Sequence, residues 1–197
     1  MPNSQKQIFI IAGCNGSGKT TLAFKLLPDF LAVYDFVNAD EIAKGLSPLK
    51  PESVALSASK IMIERLKTLM NEGKSFAFET TLAGKNYFKF IKQAQELGYK
   101  VNLLFLWLPS VNTALKRVKK RVAQGGHNIP EDTIKRRYKA GISNLINIYI
   151  EQVDTAYIAI SSAKKSKGLK GLIAKKTAKG KLIVYNEASW SKILWLI

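Results

Sequence analysis

Eight consecutive residues, Gly13-Cys14-Asn15-Gly16-Ser17-Gly18-Lys19-Thr20, carry the pattern G-x-x-x-x-G-K-[ST] in full. Glycines at the first, fourth and sixth places let the backbone curl, so that successive N–H groups converge on anionic oxygens beside the positive end of a helix. That chemistry is phosphate binding. Gly13, Asn15, Gly16, Ser17, Gly18, Lys19, Thr20 and Thr21 are the candidate nucleotide-binding set. Lys19 is expected on the β- and γ-phosphates of ATP, and the Thr20 hydroxyl on Mg²⁺. Cys14 lies inside the loop, where N–H groups would depress a thiol pKa; a small filler residue is the favoured reading.

Transfer of a phosphoryl group, as opposed to sensing it, needs a base for the attacking hydroxyl and positive charge over the moving group. Asp40 in VNADE is the candidate base; the same residue would serve as the N-cap of a helix over Glu41–Lys44, and spacing alone leaves both open. Glu41 is a weaker alternative. Glu79 closes FAFE as the acid of a Walker-B strand would, either orienting Mg²⁺ through water or gripping an acceptor hydroxyl. With Thr80 and Thr81 it forms the candidate substrate-binding set, the alternative being a capping cluster before the next helix. Arg121 and one of Arg136 and Arg137 complete a catalytic set with Lys19 and Asp40, because guanidinium forks suit developing phosphoryl charge. The single histidine, His127, is read as a loop residue.

These side chains need elements to hold them. QIFIIAG reads as a buried strand over Ile8–Ala12, followed by a helix over Thr20–Leu27 that stops at Pro28. A second strand falls near Val33–Val37. A long helix then runs from Pro51 to about Asn71, with the stripe Ala55, Ala58, Met62, Leu66, Leu69 closed by Gly73. SFAFET is a third strand, NYFKFIKQAQEL a helix, and VNLLFLWL a fourth strand. Two basic helices, Val111–Ala123 and Glu131–Ile150, flank QGGHNIP and read as a lid over about 111–150. On a helical wheel Leu115, Val118 and Val122 share one face, with Arg117 and Arg121 beside that stripe. Ile134, Tyr138, Ile142, Leu145 and Tyr149 make the buried stripe of the second helix. TAYIAI and KLIVY are short strands around a lysine-rich segment over about 161–181. Alternation of strand and helix means an α/β fold, three layers around a mainly parallel sheet, whose ligands bind at the carboxyl ends of strands.

Composition narrows the class. At 197 residues and 47% hydrophobic the chain reads as one globular domain, 1–197. One cysteine rules out an internal disulfide, and no apolar run is long enough for a membrane span, so a cytoplasmic protein is expected. Thirty-one Lys and Arg against fourteen acids give a net charge of +17, which favours anionic partners: nucleotides, nucleotide sugars, nucleic acid or an acidic protein. Lys164, Lys165, Lys167, Lys170, Lys175, Lys176, Lys179 and Lys181 concentrate that charge with no acid between Asp154 and Glu187. Charge alone does not separate RNA binding from a solvated tail.

The combination VNADEIAKGLSP, FAFETTLAG and RVAQGGHNIPEDTIKRRY resembles the zeta toxin-like P-loop kinases, over about Ile8 to Tyr149. The resemblance implies an ATP/Mg²⁺-dependent kinase with a sheet of the nucleoside-kinase type. The best-known members phosphorylate a sugar hydroxyl of UDP-N-acetylglucosamine, an anionic small molecule, and are restrained by an antitoxin. By position the resemblance makes Lys19 and Thr20 the phosphate-loop pair and Asp40 the base; Glu79 with Thr80 or Thr81 would meet the acceptor, and Arg121 with Arg136 or Arg137 would cover the phosphates. One turn departs from the pattern: where close relatives carry Asp-Asn-Ser, this chain reads YIAISSAKKSKG. Two other readings stand beside the small-molecule kinase. One is a polynucleotide kinase, which the charge suits. The other is an RNA-binding module shaped by ATP, which the absence of aromatic residues between Lys164 and Lys181 disfavours.

Overall fold

The computed structural model describes residues 5–126, 128–161 and 171–197. His127, Lys164, Lys165, Lys167 and Lys170 lie outside the described residues. One mixed sheet of seven strands runs in the order β2-β3-β1-β4-β5-β6-β7. Its first five members in chain order, β1 (Gln7–Gly13), β2 (Phe36–Val37), β3 (Phe76–Thr80), β4 (Lys100–Trp107) and β5 (Thr155–Ile160), pair in parallel. β6 (Leu172–Lys176) and β7 (Leu182–Val184) extend it as an antiparallel hairpin. This is the expected α/β fold.

β1 is central because its residues are apolar on both faces, as a strand covered on both sides requires. Ile8, Ile10 and Ala12 point into the larger core with Phe76, Phe78, Val101 and Leu103. Ile11 and the partly buried Phe9 point the other way, into a smaller cluster with Ala23, Leu27 and Val33. That second cluster is the seat of α1 (Lys19–Leu26), the helix that follows the glycine loop. α3 (Ala55–Asn71) supplies Ala58, Met62, Leu66, Leu69 and Met70 to the larger core.

Several local expectations shift. α1 ends at Leu26, ahead of Pro28, and passes into one π-type turn over Leu27–Leu31, where Ala32 N donates to Leu27 O. Pro28 has no N–H to continue the α ladder, so the turn widens. β2 keeps only Phe36–Val37 of the expected strand, the stretch that has β3 alongside. Ala55 is exposed, because a 3₁₀ turn over Pro51–Val54 precedes α3 and sets its rotation. The second basic helix is α6 (Glu131–Asn144), a π-type turn over Leu145–Tyr149 and the short α7 (Ile150–Gln152).

α5 (Val111–Ala123) has the expected bounds and is capped by Ser110 Oγ, which accepts from Thr113 N at 3.2 Å. α6 is fastened to the body along its length. Tyr138 Oη donates to Leu108 O at 2.8 Å, and Asn144 Nδ2 to Leu82 O at 2.8 Å. A Cβ at Gly141 would stand 2.4 Å from Thr81 O, so only glycine lets α6 approach the end of β3 this closely. α2 (Ala39–Leu46) and α4 (Tyr87–Glu96) complete the run of helices up to α7.

The lysine-rich segment also holds structure. Lys175 and Lys176 belong to β6, and Lys176 is buried, its Nζ donating to Glu151 O at 2.8 Å and Val153 O at 3.1 Å. After β7, α8 (Glu187–Leu194) sets Trp190 and Ile193 into the core. β6 and α8 were not legible in the sequence. Among the described residues no helix is long and apolar enough to cross a membrane.

Candidate active site

The carboxyl ends of the parallel strands converge on the glycine loop. β1 ends at Gly13 (φ 141°), whose missing Cβ would stand 2.4 Å from Leu106 O of β4 and 2.7 Å from Ser17 Oγ. Gly16 (φ 79°) packs against α5, where a Cβ would meet Ala114 O at 3.1 Å and Arg117 Cβ at 3.2 Å. Gly18 (φ 82°) is the N-cap of α1. Ser17 N donates to Cys14 O at 3.1 Å, closing the curl. Asn15 and Ser17 are buried, and their Oδ1 and Oγ have no hydrogen-bond partner among the described residues. Buried orphan oxygens beside a helix N-terminus suit a ligand that brings polar groups of its own. Thr21, in the first turn of α1, is exposed.

Glu79 is the hub of the site. The β1–β3 register sets Ile11 opposite Glu79, which brings this carboxylate under the loop. Its Oε2 accepts from Thr20 Oγ1 at 2.6 Å and from Asn38 Nδ2 at 2.9 Å, and its Oε1 lies 3.4 Å from Lys19 Nζ. Both members of that ion pair are nearly buried, with side chains 6% and 10% exposed. Lys19 Nζ also donates to Cys14 O at 3.1 Å. Glu79 therefore stands on the phosphate-loop side of the site. The neighbouring hydroxyls hold a turn: Thr80 Oγ1 accepts from Leu82 N at 3.1 Å, and Thr81 Oγ1 from Ala83 N at 3.5 Å. They do not cap α4, whose N-cap is Asn86.

Asp40 is not a cap either. Asn38 occupies the N-cap of α2 and its Oδ1 accepts from Asp40 N at 2.8 Å. The signal was present: Asn38 followed three residues later by Glu41 is the spacing of a capping box. Asp40 is thus half-buried in the first turn, beside the residue that holds Glu79. On α6, Arg137 feels the Asp40 charge. Burial pulls this guanidinium down from its usual range, the Asp40 charge opposes that, and Arg136 adds to it. Arg137 is half-buried and Arg136 exposed, in line with a helical wheel that sets Arg137 at the edge of the buried stripe and Arg136 further round.

On α5, Arg121 is half-buried in the last turn, with Gly126 N donating to its carbonyl at 2.9 Å. Arg117, one turn earlier, hydrogen-bonds the glycine loop. Its Nη1 reaches Gly16 O at 3.4 Å and Ser161 Oγ at 2.7 Å, and its Nη2 reaches Ser161 O at 3.2 Å. The wheel had placed Arg117 beside the apolar stripe without singling it out. Burial pushes the Cys14 thiol up to about 11, against smaller pulls from Lys19 and Arg117. At neutral pH it is a protonated filler of the loop.

A glycine loop at the end of a central strand, an acid on the adjacent strand and a mainly parallel sheet define an α/β protein of the P-loop kinase type. Residues 1–170 match the model of the zeta toxin family, and the chain belongs to that family. It is 34% identical over 134 residues to an uncharacterized protein of Haemophilus influenzae, covering 68% of this chain and 94% of that relative. Among solved structures, it is similar at TM-score 0.74 and 21% identity to a chain of the AvrRxo1-ORF1:-ORF2 complex with ATP. That match covers 97% of this chain but 64% of the other, so this chain spans less than two thirds of its neighbour's length. It is also similar, at TM-score 0.60 and 15% identity, to a chain of the PezAT chromosomal toxin–antitoxin system of Streptococcus pneumoniae, covering 100% of this chain and 86% of that one. At these identities the structural likeness speaks for the fold.

Proposed function

We propose that this protein transfers the γ-phosphate of ATP to a hydroxyl of a small anionic acceptor. One observation carries the reading: a single carboxylate, Glu79, holds Lys19 and Thr20 of the phosphate loop and also Asn38, the cap beneath Asp40. Loop and candidate base are thereby set in one arrangement, as an in-line transfer requires.

The residues fit the groups the reaction needs. The glycine cradle suits the phosphates of ATP, and the buried Ser17 hydroxyl can donate to them. The Thr20 hydroxyl and Glu79 carboxylate, 2.6 Å apart, are hard oxygen donors of the kind that hold Mg²⁺, which supplies charge neutralisation along the phosphates. Lys19 offers positive charge to the phosphate chain, and Arg137 and Arg121 the guanidinium forks over the transferred group. Asp40 takes the proton of the acceptor hydroxyl; the acceptor oxygen bonds to the γ-phosphorus, the bond to the bridging oxygen breaks, and ADP leaves. Thr80 and Thr81 edge the acceptor side. The family makes UDP-N-acetylglucosamine the first acceptor to try and an antitoxin the first protein partner, in the cytoplasm.

Purified protein incubated with ATP, Mg²⁺ and a panel of nucleotide sugars, nucleosides and short RNAs, with products read by mass spectrometry, tests the reading. A phosphorylated small acceptor that disappears in Lys19→Ala and Asp40→Ala supports it. A phosphorylated RNA end would replace the acceptor class, which the +17 charge also favours. Failure of the protein to bind ATP would end the proposal.

A further inference from the structure

Arg117 and Ser161 form a contact set that the catalytic reading does not use. Ser161 follows β5 directly. Its N donates to Trp107 O at 2.8 Å, continuing the β4–β5 ladder one step past the Trp107–Ile160 pair. That places its hydroxyl against the glycine loop, where Oγ donates to Ser17 O at 2.6 Å. Arg117 closes the set from α5, bonding Ser161 Oγ, Ser161 O and Gly16 O. Two consecutive loop carbonyls, those of Gly16 and Ser17, are therefore held from outside by residues more than a hundred positions along the chain.

In a trans peptide the carbonyl and the N–H of one unit point to opposite sides. Holding Ser17 O on Ser161 thus aims the N–H of Gly18, the N-cap of α1, away from Ser161. The charge on Arg117 adds a second argument. This guanidinium is half-buried, its charge reaches Cys14 in the loop, and no carboxylate pairs with it among the described residues. A partly desolvated cation left without a counter-charge beside an anion cradle favours an anion there.

We infer that Arg117 and Ser161 are positioning residues: a clamp that keeps the phosphate loop in its anion-binding shape before nucleotide arrives. The inference rests on the phosphate-loop reading given above. It also gives a function to Ser161 in the turn that follows β5.

The test uses wild type, Arg117→Ala, Arg117→Lys and Ser161→Ala, with two readouts: calorimetric affinity for MgATP, and amide exchange of the 13–20 loop in the nucleotide-free protein. Arg117→Ala is expected to weaken MgATP binding by about tenfold to a hundredfold, the scale of bonds to a charged group. Ser161→Ala should weaken it by a smaller factor. Arg117→Lys, which keeps the charge and loses the fork, should fall between wild type and Arg117→Ala. Both alanine variants should speed exchange of loop amides while strand amides exchange as in wild type. Unchanged loop exchange and unchanged affinity in Ser161→Ala, which removes one hydroxyl and should fold, would overturn the clamp. Should wild type fail to bind MgATP, the functional reading falls and loop exchange alone decides the clamp.

Discussion

Asn38 and Glu79, 41 positions apart, share a 2.9 Å hydrogen bond from Nδ2 to Oε2, while Asn38 Oδ1 caps α2 under Asp40. One amide side chain thus joins the ends of two neighbouring strands and orients the candidate base. Asn38→Ala should lower the melting temperature by several degrees, since an N-cap contributes about 0.5–2 kcal/mol and each kcal/mol shifts a chain of this size by about 2–4 °C. It should also slow turnover. Asn38→Asp keeps a capping oxygen but faces Glu79 with a second carboxylate, so it should recover neither melting temperature nor turnover. Paired thermal scans and steady-state rates on the three proteins check this.

The charge of Asp40 acts on the half-buried Arg137, whereas Arg136 is exposed. Asp40→Asn should reduce kcat by about 10²–10⁴, the usual contribution of a general base, with little change in KM for ATP. Arg137→Ala should also cost kcat, and Arg136→Ala should leave it near wild type. An Arg136 variant as damaged as the Arg137 variant would reverse the assignment.

Gly13 and Gly18 both have positive φ but differ in space. An alanine at 13 meets backbone, Leu106 O at 2.4 Å, while an alanine at 18 meets nothing within 4 Å. Gly18→Ala should therefore cost only the left-handed strain of about 1–2 kcal/mol. Gly13→Ala should cost more, adding an overpacking penalty of about 1–3 kcal/mol. Denaturant unfolding of the two variants gives the order.

Burial raises the Cys14 thiol from the ordinary value of 9.0 to about 11. Between those values the unfolded chain releases the thiol proton and the folded chain keeps it, so the unfolded state binds fewer protons and stability falls as pH rises. Stability from this group is complete below pH 9 and lost through pH 11. Cys14→Ser should flatten that part of the stability-versus-pH curve. Alkylation of native Cys14 near pH 8 should be slow compared with the urea-unfolded chain.

Lys176 is buried with its ammonium on the carbonyls of Glu151 and Val153. Lys176→Met should destabilise by about 1–3 kcal/mol, because two acceptors lose their donor. Lys179→Met, at an exposed hairpin position, should be near neutral in the same unfolding assay.

Local features are legible in the order of the residues. The glycine pattern named the phosphate loop, continuous apolar runs named β1, β3 and β4, and helical stripes named α3, α5 and the buried face of α6, because each signal lies within a few turns of one element. Contacts between residues far apart along the chain come only with folding. Thr20 meets Glu79 across 59 positions, and Arg117 meets Gly16 across 101. Only the β1–β3 register puts Glu79 under the loop. Lys176 shows the same limit. A lysine in a basic run reads as solvated, yet strand pairing buries it on the last carbonyls of a helix, where an ammonium is held by hydrogen bonds that no local pattern announces.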